Sequence, residues 1–374
     1  MKTVEVSVYE VFDWLRFPLI FGVVWLHSYG KPYDFSALDF HSLSGMDCYN
    51  LFRTSISMVL THVCVPLFFF ISGYLFFTKL NKWGWDEYLK KLRRRIKTLL
   101  IPYILWNILC LIIQLQSELR HGGCVGVTDW FNQHGILRCF WNSEVWDEDR
   151  MNWFGGGRIE SSPILIPLWY IRDLMVCCII SPVFYWLFKK TRVVGLLLLL
   201  FGYITGLGLG YWGLTCHAYM FFGLGAFCNI QKIDVTKITY KWKSVLYVMS
   251  ILLWIVTTLF NGHNTLIGDY IYPFWVLIGS IAFFNLAVQF CSRGKLEMPS
   301  VLTKSSFFIY VFHTIFIVTF SNTIIGLVFG TSSPGLLAIG FVISPFLTTT
   351  ICFGVYLLLN RIIPKTIRVL TGDR

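Results

Sequence analysis

Charge is scarce in this chain. Asp, Glu, Lys and Arg make up 14 % of its 374 residues, against roughly a quarter in a soluble globular domain. That shortfall excludes a single water-soluble core. Acids are the scarcer sign, 20 against 31 Lys and Arg, for a formal net charge of +11. The bases form no single patch or helix face. They recur in alternate short loops between apolar runs, which excludes a nucleic-acid partner and matches the positive-inside pattern of membrane proteins. Metal-ligand spacings are missing: there is no CxxC and no Cys/His ligand spacing, so no metal is expected. No Ser sits in a nucleophile-elbow pattern, which removes a serine hydrolase. No internal repeat is visible. The first ten residues, with Lys2 as their only base, make a poor signal peptide, and the first apolar run is expected to stay as a helix.

What is abundant is apolar sequence. Hydrophobic types reach 56 % and mean hydropathy is +0.64. The apolar residues come in long runs, and runs of about 18 or more read as membrane-spanning helices. The expected fold is therefore all-α: one polytopic domain over residues 1–374 with about ten transmembrane helices. The spans lie at about 11–29, 56–78, 97–116, 164–188, 193–210, 212–229, 244–260, 270–291, 304–329 and 335–359. Lys189, Lys190, Thr191 and Arg192 form a tight basic turn between the fourth and fifth. Gly208, Gly210 and Tyr211–Trp212 break the fifth from the sixth.

Lys and Arg fall on one side of this arrangement. Segment 79–97 holds Lys79, Lys82, Lys90, Lys91, Arg93, Arg94, Arg95 and Lys97, and the C-terminal tail adds Arg361, Lys365, Arg368 and Arg374. The opposite side has Lys31, Arg53 and four arginines in a long, acidic extracytoplasmic loop at about 117–163. The asymmetry predicts a multi-pass protein of the cell (inner) membrane with both termini cytoplasmic. The long loop is rich in Trp, with Trp130, Trp141, Trp146 and Trp153. Indole faces stack on sugar rings, and they also anchor at membrane interfaces. Cys48, Cys124 and Cys139 lie in outer segments, where a disulfide is open to them.

Ionisable groups inside a span cost roughly 2.5–3.5 kcal/mol each on insertion scales, so they turn inward and mark function more often than surface charges do. The first span holds Asp13, Arg16 and His27. Arg16 and His27 are eleven residues apart, close to three turns at about 3.6 residues per turn, so they share a helix face roughly 16 Å apart along the axis. Asp13 lies three residues before Arg16, where side chains meet. A structural ion pair plus an interfacial histidine accounts for the same residues. His62, Arg172–Asp173, and Tyr310 with His313 are further polar groups in spans, each open to a channel-lining or a structural reading.

These residues resemble a family. Asp13-Trp-Leu-Arg16, followed after ten residues by His27, is similar to the first-helix signature of the membrane acyltransferase-3 family, whose members O-acylate carbohydrates. Phe68-Phe-Phe-Ile-Ser72-Gly73-Tyr74 resembles its phenylalanine–serine–glycine stretch. Arg93-Arg94-Arg95 with Pro102-Tyr103 resembles the arginine-rich start of its third helix. Leu168-Trp169-Tyr170-Ile171 matches its Trp motif, and Ser305-Ser306 through Tyr310 to His313 its late serine–tyrosine–histidine helix. The ordered set spans about residues 11–313. The Trp-rich outer loop has no counterpart. The family's optional C-terminal hydrolase-like domain is expected to be absent, since the chain ends soon after the tenth span.

The resemblance implies a membrane enzyme that uses cytoplasmic acyl-CoA, acetyl-CoA by default and succinyl as the variant, to modify an extracytoplasmic glycan. It implies His27 as general base, Arg16 and its partner Asp13 in donor positioning, and Arg93, Arg94 and Arg95 on the CoA phosphates, although a lipid anchor explains the arginines equally. Ser72, Tyr310, His313 and Arg172 are its remaining candidates. The lipid bilayer, acyl-CoA and the glycan are the expected partners, and a homo-oligomer is left open. The competing class is a transporter or flippase, which many spans and interior charges also describe. Topology is testable first. In a Cys-free background, Lys82→Cys should resist an impermeant thiol reagent added from outside, and labelling there would reverse the orientation.

Overall fold

A computed structural model describes residues 6–29, 41–78, 83–141, 144–145, 159–160, 162–206, 215–260, 266–294, 298–330 and 333–373. Helices follow one another as α1 (Val8–His27), α2 (Gly45–Thr54), α3 (Cys64–Phe77), α4 (Trp85–Arg95) and α5 (Ile101–His134). Then come α6 (Trp169–Ile179), α7 (Ser181–Thr191), α8 (Val193–Thr205), α9 (Cys216–Ile230), α10 (Val235–Lys241) and α11 (Lys243–Phe260). The last are α12 (Leu266–Ser292), α13 (Ser300–Phe312), α14 (Val318–Phe329), α15 (Pro334–Ile362) and α16 (Pro364–Leu370). A two-residue antiparallel pair, Glu144–Val145 with Ile159–Glu160, is the extended structure among the described residues. The fold is all-α and polytopic.

Every proposed span coincides with helix over most of its described residues, but the helices differ in their capacity to cross a bilayer. Among the described residues five are long and apolar enough, and up to seven if each of two bent pairs is one span. The pairs are Ile166–Ile179 with Ser181–Thr191, bent by 57°, and Ser300–Ile315 with Val318–Phe329. The expected count of about ten differs from this for physical reasons. Helix α1 carries Glu10, Asp13 and Arg16. Helices α8 and α9 have 13 and 15 residues, short of the roughly 20 that a hydrocarbon core of about 30 Å requires. The expected break at Gly208, Gly210 and Tyr211–Trp212 lies outside the described residues, as do Lys31, Lys79, Lys82, Trp146, Trp153 and Arg374. The basic turn at 189–192 is present: α7 ends at Thr191, and Arg192 turns the chain at φ 51°.

The chain packs as two compact units, Met1–Ile71 with Lys232–Leu357, and Ser72–Gln231 with Leu358–Arg374. In the first unit α1 lies against α12 and α13. Its apolar face, Val11, Phe12, Leu15, Leu19 and Val23, follows the spacing of one helix side and is buried. Phe12 meets Phe70 and Phe284 at ring distances of 6.1 and 6.2 Å. Between α2 and α3 the helix loosens into a π-helical turn, Ser55–Val59, and then tightens into a 3₁₀ turn, Leu60–Val63.

In the second unit α9 is central. Its stretch Ala218–Phe222 is wholly buried, with Phe222 among Phe76, Phe77 and Phe184. Helix α5 is interrupted at Gly123, which takes φ 59°, a left-handed value natural to glycine. Helix α16 docks on α5, where the Trp106 indole donates to the Leu370 carbonyl at 3.0 Å.

Gly73 explains itself here. A Cβ at this position would collide with the backbone carbonyl of Phe222, so α3 and α9 touch main chain to main chain. Gly73→Ala should destabilise the protein by about 1–3 kcal/mol, the usual scale of overpacking. Thermal unfolding in detergent checks it; an unchanged melting temperature would mean the helices are not in contact at this point.

Candidate functional site

Arg16 and Asp13 pair as their spacing predicts, Nη2 to Oδ1 at 3.2 Å, but their side chains are 43 % and 63 % exposed. At such exposure the pair contributes little to stability, typically under about 1 kcal/mol. The guanidinium therefore remains available to an anion. Helix α1 runs unbroken from Arg16 to His27, so both candidates lie on one element.

At the end of α1, His27 meets His313. The ring centroids are 5.0 Å apart at an interplanar angle of 52°. His313 is fully buried and opens a π-helical turn, His313–Ile317, between α13 and α14. Such turns recur at functional sites because they release backbone groups and re-aim side chains. His313 Nδ1 lies 3.1 Å from the Ile309 carbonyl, an oxygen that can only accept, so Nδ1 carries the proton. In the neutral ring Nε2 is then a bare acceptor. Among the described residues no hydrogen bond reaches it. Tyr310, one turn earlier, is buried, with its ring 6.0 Å from Phe307. His62, also on the first unit, shares a 2.6 Å hydrogen bond between its Nδ1 and the Tyr272 hydroxyl.

The second unit holds the other candidates. Arg172 and Asp173 are both buried. Arg172 donates from Nε and Nη2 to Asp173 Oδ1 at 2.9 and 2.7 Å. Asp173 Oδ2 accepts from the Thr215 amide and hydroxyl, each at 3.0 Å. The Arg172 guanidinium also lies 5.1 Å from the centroid of the Trp141 ring. This is a closed, compensated ion pair, the form in which buried charge is tolerated. Ser72 Oγ lies 3.3 Å from the Tyr170 hydroxyl.

The three consecutive arginines do not act as one surface. Arg93 and Arg94 are exposed, whereas Arg95 is half-buried, 6.0 Å from the Phe76 ring centroid, and hydrogen-bonded to the Cys178 sulfur. Lys91, one turn before Arg95, donates to the carbonyls of Phe76 and Thr78 at the end of α3. Helical periodicity separates these faces: adjacent residues point about 100° apart, while positions four apart align. The eleven cysteines are separate thiols, with Cys48 and Cys124 exposed and Cys139 buried.

Comparison with known proteins decides the family. The acyltransferase domain of acyltransferase family 3 matches residues 9–358. The chain belongs to this family. It is also 24 % identical over 378 residues to the succinoglycan biosynthesis protein ExoH of Rhizobium meliloti (strain 1021), covering 96 % of this chain and 91 % of that protein. No solved structure matches significantly.

This acyltransferase's cationic turn gives a separable prediction. Arg93→Glu with Arg94→Glu should leave the melting temperature nearly unchanged, as exposed substitutions usually stay within about 0.5 kcal/mol. The same pair should weaken binding of a polyphosphate anion in a titration, an effect that added salt partly reproduces. Arg95→Ala should instead lower the melting temperature. Equal effects of all three on both measurements would refute the division.

Proposed function

We propose that this membrane acyltransferase moves an acyl group, acetyl in the first instance, from cytoplasmic acyl-CoA to a hydroxyl of an extracytoplasmic glycan. The observation that carries the reading is the His27–His313 pair, with the buried Nε2 of His313 aimed at no partner among the described residues. A neutral imidazole carries one nitrogen that accepts and one that donates, which suits it to take and return a proton. His27 is the general base: it removes the hydroxyl proton as the oxygen attacks the thioester carbonyl. The carbon–sulfur bond then breaks, and the leaving thiolate takes that proton to become free CoA thiol. His313, held by Ile309, supports the orientation of the His27 ring.

Arg16, exposed beside Asp13, binds a phosphate or the thioester end of the donor, and Arg93 and Arg94 hold phosphate charge. The glycan acceptor is supported by a relative named for the biosynthesis of succinoglycan. The Lys/Arg asymmetry supports cytoplasmic termini in the inner membrane. A transporter or flippase shares the polytopic helices, and no contact described above favours it over transfer chemistry.

His27→Ala should cut acyl transfer by about 10²–10⁴-fold, the usual contribution of a general base, with acyl-CoA binding intact. Arg16→Lys should instead weaken donor binding, since an ammonium does not reproduce the guanidinium fork. Purified variants are compared by thermal stability, acetyl-CoA binding, and acylation of glycan extracted from cells lacking the protein. Wild-type turnover in His27→Ala would remove the catalytic assignment.

A further inference from the structure

The turn of α1 that carries His27 is pinned from both sides by one neighbouring segment. Two residues before His27, the Trp25 carbonyl accepts a 3.0 Å hydrogen bond from the buried Ser57 hydroxyl. Two residues after it, the Tyr29 carbonyl accepts from Arg53 Nη1 at 2.7 Å. The Tyr29 side chain is held as well. Its hydroxyl lies 2.9 Å from Thr54 Oγ1, and the Arg53 guanidinium lies 4.4 Å from its ring centroid. Arg53 is itself fixed, donating from Nε to Asn50 Oδ1 at 2.8 Å.

This segment does not continue as plain α-helix. At Ser55–Val59 it widens into the π-helical turn, which frees carbonyls that a regular helix would use. Two indoles bond carbonyls at its ends: Trp254 Nε1 donates to Ser55 at 2.8 Å, and Trp275 Nε1 to Val59 at 3.0 Å. A π-helical turn is an uncommon conformation that recurs at functional sites, and an extra residue there changes which side chains face α1. Ser57 lies inside it, while Arg53 and Thr54 immediately precede it.

We infer that Arg53 and Ser57 are positioning residues that set the His27 imidazole, acting through the Tyr29 and Trp25 carbonyls. The inference rests on the acyltransferase reading of the His27 site. Neither residue touches a reacting atom in this account. Their effect is on where the base sits, and displacement of a catalytic group by about 1 Å costs up to roughly 100-fold in rate.

The test uses the full-length protein in detergent, with acetyl-CoA as donor and glycan extracted from cells lacking the protein as acceptor. Arg53→Ala and Ser57→Ala should each lower kcat, by roughly 10–100-fold for the arginine and several-fold for the serine. The KM for acetyl-CoA and the melting temperature should stay near wild type. Arg53→Lys should recover part of the loss, because its ammonium keeps a donor for the Tyr29 carbonyl. If Arg53→Ala does not fold, Ser57→Ala and Arg53→Lys make the same comparison. Unchanged kcat in Ser57→Ala and Arg53→Ala, or losses that follow the melting temperature and donor KM together, would overturn the inference. Absence of transfer by the wild-type protein would overturn the acyltransferase reading, and this inference with it.

Discussion

A polar group inside a bilayer has no water to turn to, so its partner must come from the chain. The arrangement of this protein follows from that constraint. Asp173 is buried because Arg172 and Thr215 together occupy both of its oxygens. Ser57 can lie in a spanning segment because the Trp25 carbonyl accepts its proton. The π-helical turn before α3 persists because indoles from α11 and α12 bond its terminal carbonyls. The bare Nε2 of His313 departs from this pattern, as do the hydroxyls of Thr314, Ser321, Thr348 and Thr349 among the described residues of the same unit. An unsatisfied acceptor at that depth costs on the order of 1–3 kcal/mol, and a ligand hydroxyl or a proton would relieve it.

The two histidines divide the work by their environment. His313 is fixed by its own helix, with one nitrogen committed to Ile309. His27 sits on the last turn of α1, half-buried, where backbone carbonyls are free to be gripped by a neighbour. One ring is fixed by its own helix and the other is set by a neighbouring segment, a sensible division for proton transfer. Arg16 belongs to the exposed part of the same helix, where its charge is left free for a soluble donor.

Much of the architecture was legible in the sequence. Apolar runs marked the helices, and the basic turn at Lys189–Arg192 lies where the charge pattern located it. Asp13–Arg16 followed from a three-residue spacing. The meeting of His27 with His313 was not legible, because it joins helices remote in sequence and depends on packing that no local period encodes. Nor did the run Arg93–Arg95 reveal that Arg95 turns inward, since three adjacent letters hide a helix's rotation. Arg53 was counted only as an outer-side charge; its role as a grip on the α1 terminus needed the Tyr29 carbonyl in view. Helix length was less legible: α8 and α9 have 13 and 15 described residues, a limit that hydropathy alone does not register.

The π-helical turn Ser55–Val59 makes the length of this stretch a matter of phase. A π turn is equivalent to one additional residue in an α-helix. Deleting a residue there would restore a regular helix and rotate everything after it by about 100°. His62 would swing away from Tyr272. Apart from Ser57, residue identities in this stretch can drift while its residue count cannot, so insertions and deletions among relatives should be excluded from it.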